Sequence, residues 1–260
     1  MGLKRALKSL LKLLPKQTRL YVGQHLRWMS RKKEAKPYFG EGRVCACCGQ
    51  HWREFVPAGS PQRPGELCLR CGGGKRQRLM AHFLTEQLKC RPPTKLLHFA
   101  PEVSLTRVVR RLPHVEYNSI DISPDAALQQ GDIQDLPLEP RTFDVLVCSH
   151  VLEHVPDDAK AMSELRRVLK RDGVAYVMVP QDFDRDATYE DPSITDPKAR
   201  ELAFGQDDHV RIYGRDFPDR LRQAGFSVES RRTKDFADPA TIQLYDLVDD
   251  VIYICRPSPD

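Results

Sequence analysis

The chain has 260 residues, 40% of them apolar and 30% charged, and a formal net charge of +5. This length holds one large α/β core plus a small appendage, and without any run of eighteen apolar residues no membrane-spanning helix is predicted. The charge is uneven: residues 1–36 contain eleven Lys or Arg against one acid, a net of +10, which leaves −5 for the rest of the chain.

The segment 1–36 has the pattern of a basic amphipathic helix. Leucines recur at helical spacing on one face: Leu3, Leu7, Leu10 and Leu14. Three interpretations stay open, namely contact with an anionic membrane surface, a solvated or partner-binding helix, and nucleic-acid binding. Nucleic acid is the weakest, because aromatic residues among the basic ones are few. Lysines interrupt the apolar run, which makes a poor secretory signal, so we expect a cytoplasmic protein that is at most peripheral at the membrane.

Next comes a cysteine-rich segment, 37–75. Four of the eight cysteines form two C-x-x-C pairs: Cys45, Cys48, Cys68 and Cys71. Their spacing is typical of a four-cysteine zinc site, and Gly49 and Gly72 follow the pairs where a knuckle requires positive φ. The alternative is that the four cysteines form two disulfides. No secretory signal is visible, so a reducing compartment, where disulfides are rare, is expected. Cys47 lies inside the first pair and can replace either of its cysteines.

Beyond this knob, the sequence predicts a connecting helix in 76–93 and an α/β domain in 94–260. The predicted strands are 95–99, 115–120, 143–148, 174–179, 226–230 and 251–255. The predicted helices are 75–88, 101–111, 156–172 and 214–224. Valine-rich apolar runs such as 143–148 are typical of strands buried on both faces of a parallel sheet. The loop after such a strand lies at the carboxyl edge, where open α/β sheets bind ligands.

Two stretches carry a family resemblance: FDVLVCSHVLEHVPD (143–157) and ELRRVLKRDGVAYVMVP (164–180). In order and spacing they resemble the centre of class I S-adenosylmethionine-dependent methyltransferases of the type 11 kind. The resemblance implies a doubly wound, mostly parallel, Rossmann-like sheet with a small zinc-binding domain before it. A cysteine knob with a following basic helix also occurs in some relatives of this group.

The resemblance assigns cofactor roles to several positions. Asp121 is expected to bind the ribose diol, with Ile122 beside it, because an ionised carboxylate accepts two hydrogen bonds. Asp132 and Ile133 are expected near the adenine. His150 and Leu152 are expected to line the floor. A helix cap or turn former is the alternative for either aspartate.

The loop after the first strand departs from the family pattern. It reads Ala100, Pro101, Glu102 where most members have a glycine-rich turn. Either this variant loop still holds the cofactor, as we expect, or the site is degraded and the domain is a catalytically silent binding module. The short gap between Asp121 and Asp132 makes the adenine assignment the less secure one.

Two histidines are candidates for the general base that methylation of a hydroxyl requires, His154 and His209. The alternative is that they cap a helix and fix a loop. Arg211, in the same segment as His209, is predicted to hold an anionic or sugar-like substrate. The sequence thus favours a methyltransferase acting on oxygen of a small or glycan-type acceptor, with S-adenosylmethionine and Zn²⁺ as cofactors, over a silent module or an RNA methyltransferase.

Overall fold

The computed structural model describes residues 22, 26, 29, 32–59, 62–89 and 92–259. Most of the basic segment 1–36 lies outside the described residues, so its predicted contact with a membrane surface stays a prediction. Within the described part, no helix is both long and apolar enough to cross a bilayer.

The elements follow one another along the chain as short strands, then alternating strands and helices. The strands are β1 (Arg43–Val44), β2 (His51–Trp52), β3 (Val56–Ala58), β4 (Arg63–Leu67), β5 (Thr94–Phe99), β6 (Val115–Asp121), β7 (Gln129–Gln130), β8 (Phe143–Ser149), β9 (Leu169–Met178), β10 (Tyr189–Glu190), β11 (Arg211–Ile212), β12 (Phe226–Arg232) and β13 (Val251–Pro257). The helices are α1 (Lys75–Leu88), α2 (Val103–Val109), α3 (Asp158–Val168), α4 (Pro197–Phe204), α5 (Phe217–Gln223) and α6 (Pro239–Tyr245).

Contacts divide these elements into two compact units. The first consists of Met1–Pro92, Pro101–Val115 and Thr233–Asp250, and the second of Pro93–Ala100, Glu116–Arg232 and Val251–Asp260. The predicted domain limits at residues 36, 75 and 93 stay predictions.

In the first unit, a buried arginine of α1 ties three chain segments together. Arg78 is 0% exposed, stacks 3.8 Å from the centre of the Phe55 ring, and donates to the carbonyls of Gly65, Glu66 and Tyr245. A buried guanidinium is tolerated only where its N–H groups find acceptors. Arg78 therefore fixes β4 and α6 to the helix that follows the second cysteine pair.

The second unit is built on a seven-stranded sheet in the order β12-β13-β9-β8-β5-β6-β7. β5, β8 and β9 are parallel to one another, as are β6 and β7, whereas β13 runs antiparallel to β9 and β12. The chain goes from β5 outward to β6 on one side and then to β8 on the other. The order thus reverses between β5 and β8, which makes that edge a topological switch point.

The predicted fold class, a doubly wound and mostly parallel α/β sheet, is confirmed. All six predicted long strands are present, and β8 and residues 173–178 of β9 are almost completely buried, as their apolar runs require. One boundary differs: the helix predicted to run to Gly173 ends at Val168, and residues 169–173 already belong to β9. A Cβ at Gly173 would lie 2.6 Å from Leu169 Cδ1, so this glycine serves strand packing and ends no helix.

Candidate functional site

A hollow of about 430 Å³ lies at the switch point, within the second unit. Its walls come from the ends of β5, β6 and β8 and from the loops that follow them. The lining residues are Phe99, Ala100, Ile120, Asp121, Ile122, Gly131, Asp132, Ile133, Gln134, His150, Val151, His154, Val155, Pro156 and Asp208. The size is within the range of small-molecule and cofactor pockets.

Two residues at the rim of the hollow have left-handed backbone. Ala100 directly follows β5 with φ 44°, and His150 directly follows β8 with φ 55°. The Ala100 N–H donates to Ile120 O at 3.0 Å, and the His150 N–H donates to Met178 O at 2.8 Å, so neighbouring strands hold both turns. This conformation costs a residue with a side chain about 1–2 kcal/mol. The glycine-free loop therefore takes a glycine-type shape at an energetic cost, a pattern that clusters at functional sites.

We expect Ala100→Gly to raise the free energy of unfolding by about 0.5–1 kcal/mol, because glycine relieves the left-handed strain. Ala100→Val is expected to lower it by about 1–3 kcal/mol, because a branched Cβ is strongly disfavoured at positive φ. Urea titration of both variants measures the effect. Ala126→Gly, at ordinary backbone, serves as control and is expected to be neutral or slightly destabilising; the same gain there as at Ala100 would contradict the strain.

Asp121 ends β6 and lines the hollow. Its Oδ1 accepts from the Ser123 N–H at 2.7 Å, an Asx-type turn that fixes the carboxylate direction. Within the described residues the other oxygen accepts no hydrogen bond from protein and remains available to a ligand. Ile122 also lines the hollow and is 71% exposed, an unusual degree for a large apolar side chain.

Asp132 is held in place by Gln134, a residue that the sequence did not single out. Asp132 Oδ1 accepts from the Gln134 N–H at 2.8 Å, and the Gln134 side chain donates to the same carboxylate while its Oε1 accepts from the Asp157 N–H at 3.0 Å. This links the loop after β7 to the start of α3. Ile133, between the two, is 7% exposed and contributes apolar wall.

Three histidines surround a buried carboxylate at one end of the hollow. Glu153 is 0% exposed, and its Oε1 lies 3.2 Å from His150 Nδ1, 3.8 Å from His154 Nε2 and 4.0 Å from His209 Nε2. Both carboxylate oxygens and both His150 nitrogens are buried without a hydrogen bond. The rings of His154 and His209 meet edge to face at 4.8 Å.

The two candidate bases differ in access. His154 lines the hollow with its side chain 31% exposed, whereas His209 is nearly buried behind it and does not reach the lining. Burial lowers the pKa of His209, against an opposing effect of Glu153. The sequence thus brings the two predicted histidines together, with only one of them at the ligand surface.

Arg211 does not face a ligand, and the prediction that it holds a substrate is wrong. Its side chain is 2% exposed, and its guanidinium donates to the carbonyls of Leu152, Val155 and Pro156 and to Glu190. A guanidinium that is buried needs all its donors satisfied by protein. Arg211 therefore shapes the loop that carries Glu153 and His154.

The other predicted cofactor residues have varied placements. Leu152 is 0% exposed and belongs to the hydrophobic core of the second unit, outside the lining of the hollow. Pro101 and Glu102 belong to the first unit, where Glu102 accepts from the Gln77 side chain at 3.3 Å. The cofactor roles given to these three residues stay predictions.

The four predicted metal-ligating cysteines lie together in the first unit, with all Sγ atoms within 4.8 Å of one another. Cys45 and Cys71 are 3.6 Å apart at sulfur, and Cys48 and Cys68 are 3.8 Å apart. Disulfide sulfurs lie about 2.04 Å apart, whereas tetrahedral zinc with bonds of about 2.3 Å separates its ligands by about 3.8 Å. The sulfur distances are therefore too long for disulfides and match the separation that tetrahedral zinc would require.

Glycines shape both knuckles of this cluster alike. Gly49 and Gly72 have φ 72° and 74°, and their N–H groups donate to Cys45 O and Cys68 O, each at 2.8 Å. Cys47 is buried, with its Sγ 3.4 Å from Gln77 O, so its thiol has a partner in α1. Hydrogen bonds from Cys47 and Cys48 lower the pKa of Cys45, which favours its thiolate form.

Comparisons with known proteins show a family similarity over part of both units. The sequence model of a family described as "Methyltransferase domain" matches residues 67–177. A 2-phytyl-1,4-naphtoquinone methyltransferase of Trichormus variabilis is 27% identical over 141 residues, 53% of this chain and 56% of that protein. An uncharacterized 37.1 kDa protein in transposon TN4556 of Streptomyces fradiae is 31% identical over 175 residues, 64% of this chain and 45% of that protein. The chain thus spans about half the length of the curated relatives that it matches.

Among solved structures, the chain is similar to the 1,6-didemethyltoxoflavin-N1-methyltransferase of Burkholderia thailandensis with bound S-adenosylhomocysteine. The identity is 17%, the TM-score is 0.49, and the alignment covers 70% of this chain and 78% of that one. The family match rests on the sequence of residues 67–177, and the sheet with its hollow at the switch point agrees with it. Residues 67–177 thus match the sequence model of a methyltransferase domain, and the mostly parallel sheet is of the fold class expected for such a domain.

Proposed function

We propose that the chain binds S-adenosylmethionine in the hollow and transfers its methyl group to an oxygen atom of a small hydroxyl-bearing molecule, with glycan-type acceptors included. The observation that carries this proposal is the hollow itself. Two carboxylates, Asp121 and Asp132, line it together with His154. One cavity thus offers acceptors for a nucleoside and a base for an incoming hydroxyl.

The residues present fit this cofactor. The free oxygen of Asp121 suits the ribose hydroxyls, Asp132 suits an amine on the adenine, and Ile133 supplies an apolar wall for the ring. At Ala100 the left-handed turn brings the backbone to the rim without the bulk of a long side chain. Because the side chain of Ala100 is only a methyl group, it leaves the rim of the hollow open to a ligand.

S-adenosylmethionine supplies a methyl group on a sulfonium, so the leaving sulfur needs no activation. With that cofactor bound, the acceptor oxygen would take the methyl carbon, and the electron pair of the carbon–sulfur bond would stay on sulfur. The hydroxyl proton goes to His154, which reaches the hollow, while His209 packs against its ring and fixes its position. Alignment of the reactants contributes much of the rate in such a displacement.

A transfer assay with methyl-labelled S-adenosylmethionine tests this function. We expect label in at least one member of a panel of phenols, quinols and sugars, and none in RNA. His154→Ala is expected to abolish transfer while cofactor binding survives, and His209→Ala to reduce it about 10²-fold or more. Exposed His114, changed to Ala, is the control. Cofactor binding with no transfer to any panel member would indicate a silent module, and labelled RNA an RNA methyltransferase.

We also propose that the cysteine cluster binds zinc through Cys45, Cys48, Cys68 and Cys71. The supporting observation is the near-tetrahedral sulfur spacing with glycine knuckles on both sides. Binding would add folding free energy to a segment with little core of its own.

A matched pair of variants tests the zinc ligands. Cys68→Ser is expected to lose one equivalent of bound zinc per chain and to destabilise the first unit, because three ligands hold zinc more weakly than four. Cys47→Ser is expected to keep that equivalent, because its thiol contacts Gln77 O. Metal analysis after dialysis measures both. If Cys47→Ser loses its zinc and Cys68→Ser retains it, Cys47 rather than Cys68 is a zinc ligand.

For the basic segment 1–36 three interpretations stay open: contact with an anionic membrane surface, a solvated or partner-binding helix, and nucleic-acid binding. Its net charge of +10 is compatible with an anionic surface of either a membrane or a nucleic acid.

A further inference from the structure

The cluster around Glu153 is a buried carboxylate whose nearest charged or polar side chains are three histidines. Glu153 is 0% exposed, and neither carboxylate oxygen accepts a hydrogen bond. Taking a carboxylate out of water costs several kcal/mol unless a partner compensates it. His150 Nδ1 lies only 3.2 Å from Glu153 Oε1 without a hydrogen bond. A ring nitrogen and a carboxylate oxygen at this distance repel each other unless a proton or a metal cation lies between them.

The two neighbouring histidines already have their outer nitrogens engaged. His209 Nδ1 lies 3.2 Å from Phe204 O, where an N–H donates to the carbonyl, and His154 Nδ1 lies 3.3 Å from Asp208 Oδ2. Metal-binding histidines almost always hold one nitrogen on a carbonyl or carboxylate in this way, which leaves the other with its lone pair free. In both residues that other atom, Nε2, faces Glu153 Oε1, at 3.8 and 4.0 Å.

We propose that Glu153, His154 and His209 bind a divalent first-row transition-metal ion, of which zinc is the representative. One ligand atom from each of these residues lies within 4.8 Å of the others. Tetrahedral ligands at about 2.0–2.1 Å from zinc lie about 3.4 Å apart, so small side-chain rotations close the site. Two imidazoles and one carboxylate form a ligand set that zinc, iron and manganese accept, and nitrogen ligands disfavour Mg²⁺ and Ca²⁺.

Three protein ligands leave a coordination position open, the arrangement of catalytic rather than structural metal sites. His154 belongs both to this set and to the lining of the hollow. With the metal bound, His154 Nε2 would be a ligand and no longer the base. A hydroxyl at the open coordination position would then lose its proton to solvent more readily, since a bound cation lowers the pKa of a coordinated oxygen. This role rests on the proposed methyl transfer, whereas metal binding itself does not.

Equilibrium dialysis of the full chain, stripped with chelator and returned to buffered Zn²⁺, tests the site by counting metal. We expect wild type to bind one equivalent more than His154→Ala and one more than Glu153→Gln. Asp208→Asn is expected to keep the equivalent with 10–100-fold weaker affinity, because it removes only the outer partner of His154. His114→Ala is the matched control and is expected to bind as wild type does.

Cobalt distinguishes this site from the cysteine cluster. Co²⁺ bound by thiolates shows intense charge-transfer absorption, and Co²⁺ bound by imidazole and carboxylate does not. We therefore expect His154→Ala to keep the charge-transfer band of the cysteine cluster and to lose only the weaker absorption of the second cobalt ion. Cys68→Ser is expected to lose the charge-transfer band.

Equal metal content and affinity in wild type and His154→Ala would overturn the proposal and leave a protonated histidine as the partner of Glu153. Because His154 is partly exposed, its variant is expected to fold even if Glu153→Gln does not. Calorimetry with S-adenosylmethionine on zinc-loaded wild type reports on the cofactor and dialysis reports on the metal, so the two proposals fail independently.

Discussion

Asp121→Ala is expected to weaken S-adenosylmethionine binding about 100-fold or more. The carboxylate stands at the end of β6 with one oxygen fixed by the Ser123 N–H and the other free toward the hollow. A hydrogen bond to a charged group contributes about 1.5–3 kcal/mol, and a ribose diol offers two of them. Because about 1.4 kcal/mol changes a binding constant tenfold, loss of the pair removes two orders of magnitude. Isothermal titration calorimetry measures the effect.

Two further variants separate ligand contact from local structure. Asp121→Asn keeps an acceptor for the Ser123 N–H and loses only the charge, so its affinity is expected to fall about tenfold. Asp125→Ala, four residues on and exposed, is expected to bind as wild type does. If Asp121→Ala binds with unchanged affinity, the ribose is not held by this carboxylate.

Arg211→Ala is expected to lower the free energy of unfolding by about 3–5 kcal/mol. The change leaves three carbonyls, those of Leu152, Val155 and Pro156, without their donor in the interior. It also removes one of the two arginine partners of Glu190, 2.8 Å from Arg211 Nε, and leaves Arg220 as the other. Breaking a buried charge network from one side costs this much because the groups left behind stay desolvated.

Urea unfolding of Arg211→Ala against Arg215→Ala tests this role. Arg215 is 57% exposed and pairs with the even more exposed Asp186, so its loss is expected to change stability by less than about 0.5 kcal/mol. Since Arg211 holds the loop that carries His154, its variant is also expected to lose methyl transfer at temperatures where it remains folded. Equal stability of the two variants would restore Arg211 as a candidate ligand group.

Much of the fold could be predicted from the sequence, because buried parallel strands have a strong apolar signature. β8 and β9 carry unbroken valine-rich runs, and both were predicted within a few residues except for the early start of β9. The loops at the carboxyl edge follow from that topology, which is why Asp121, Asp132, His150 and His154 all lie at one hollow. Local pattern and global fold agree in this part of the chain.

The remaining features depend on contacts between distant positions. Arg211 and the carbonyls that it binds are more than fifty residues apart, and its neighbours His209 and Tyr213 gave no sign that the guanidinium is buried. The isolation of Glu153 among three histidines is likewise set by the meeting of two loops. Left-handed backbone at Ala100 was not expected either, because alanine carries no signal for positive φ. Gln134 has no motif of its own; only its place between Asp132 and Asp157 reveals its function.

Calorimetric titration of the purified chain with S-adenosylmethionine, and separately with S-adenosylhomocysteine, tests most directly whether the hollow at Ala100, Asp121 and His150 is a cofactor site. Saturable binding of both compounds at one site per chain, weakened by Asp121→Ala, is the predicted result. The absence of any binding heat with folded, zinc-loaded protein over a range of temperatures would contradict it.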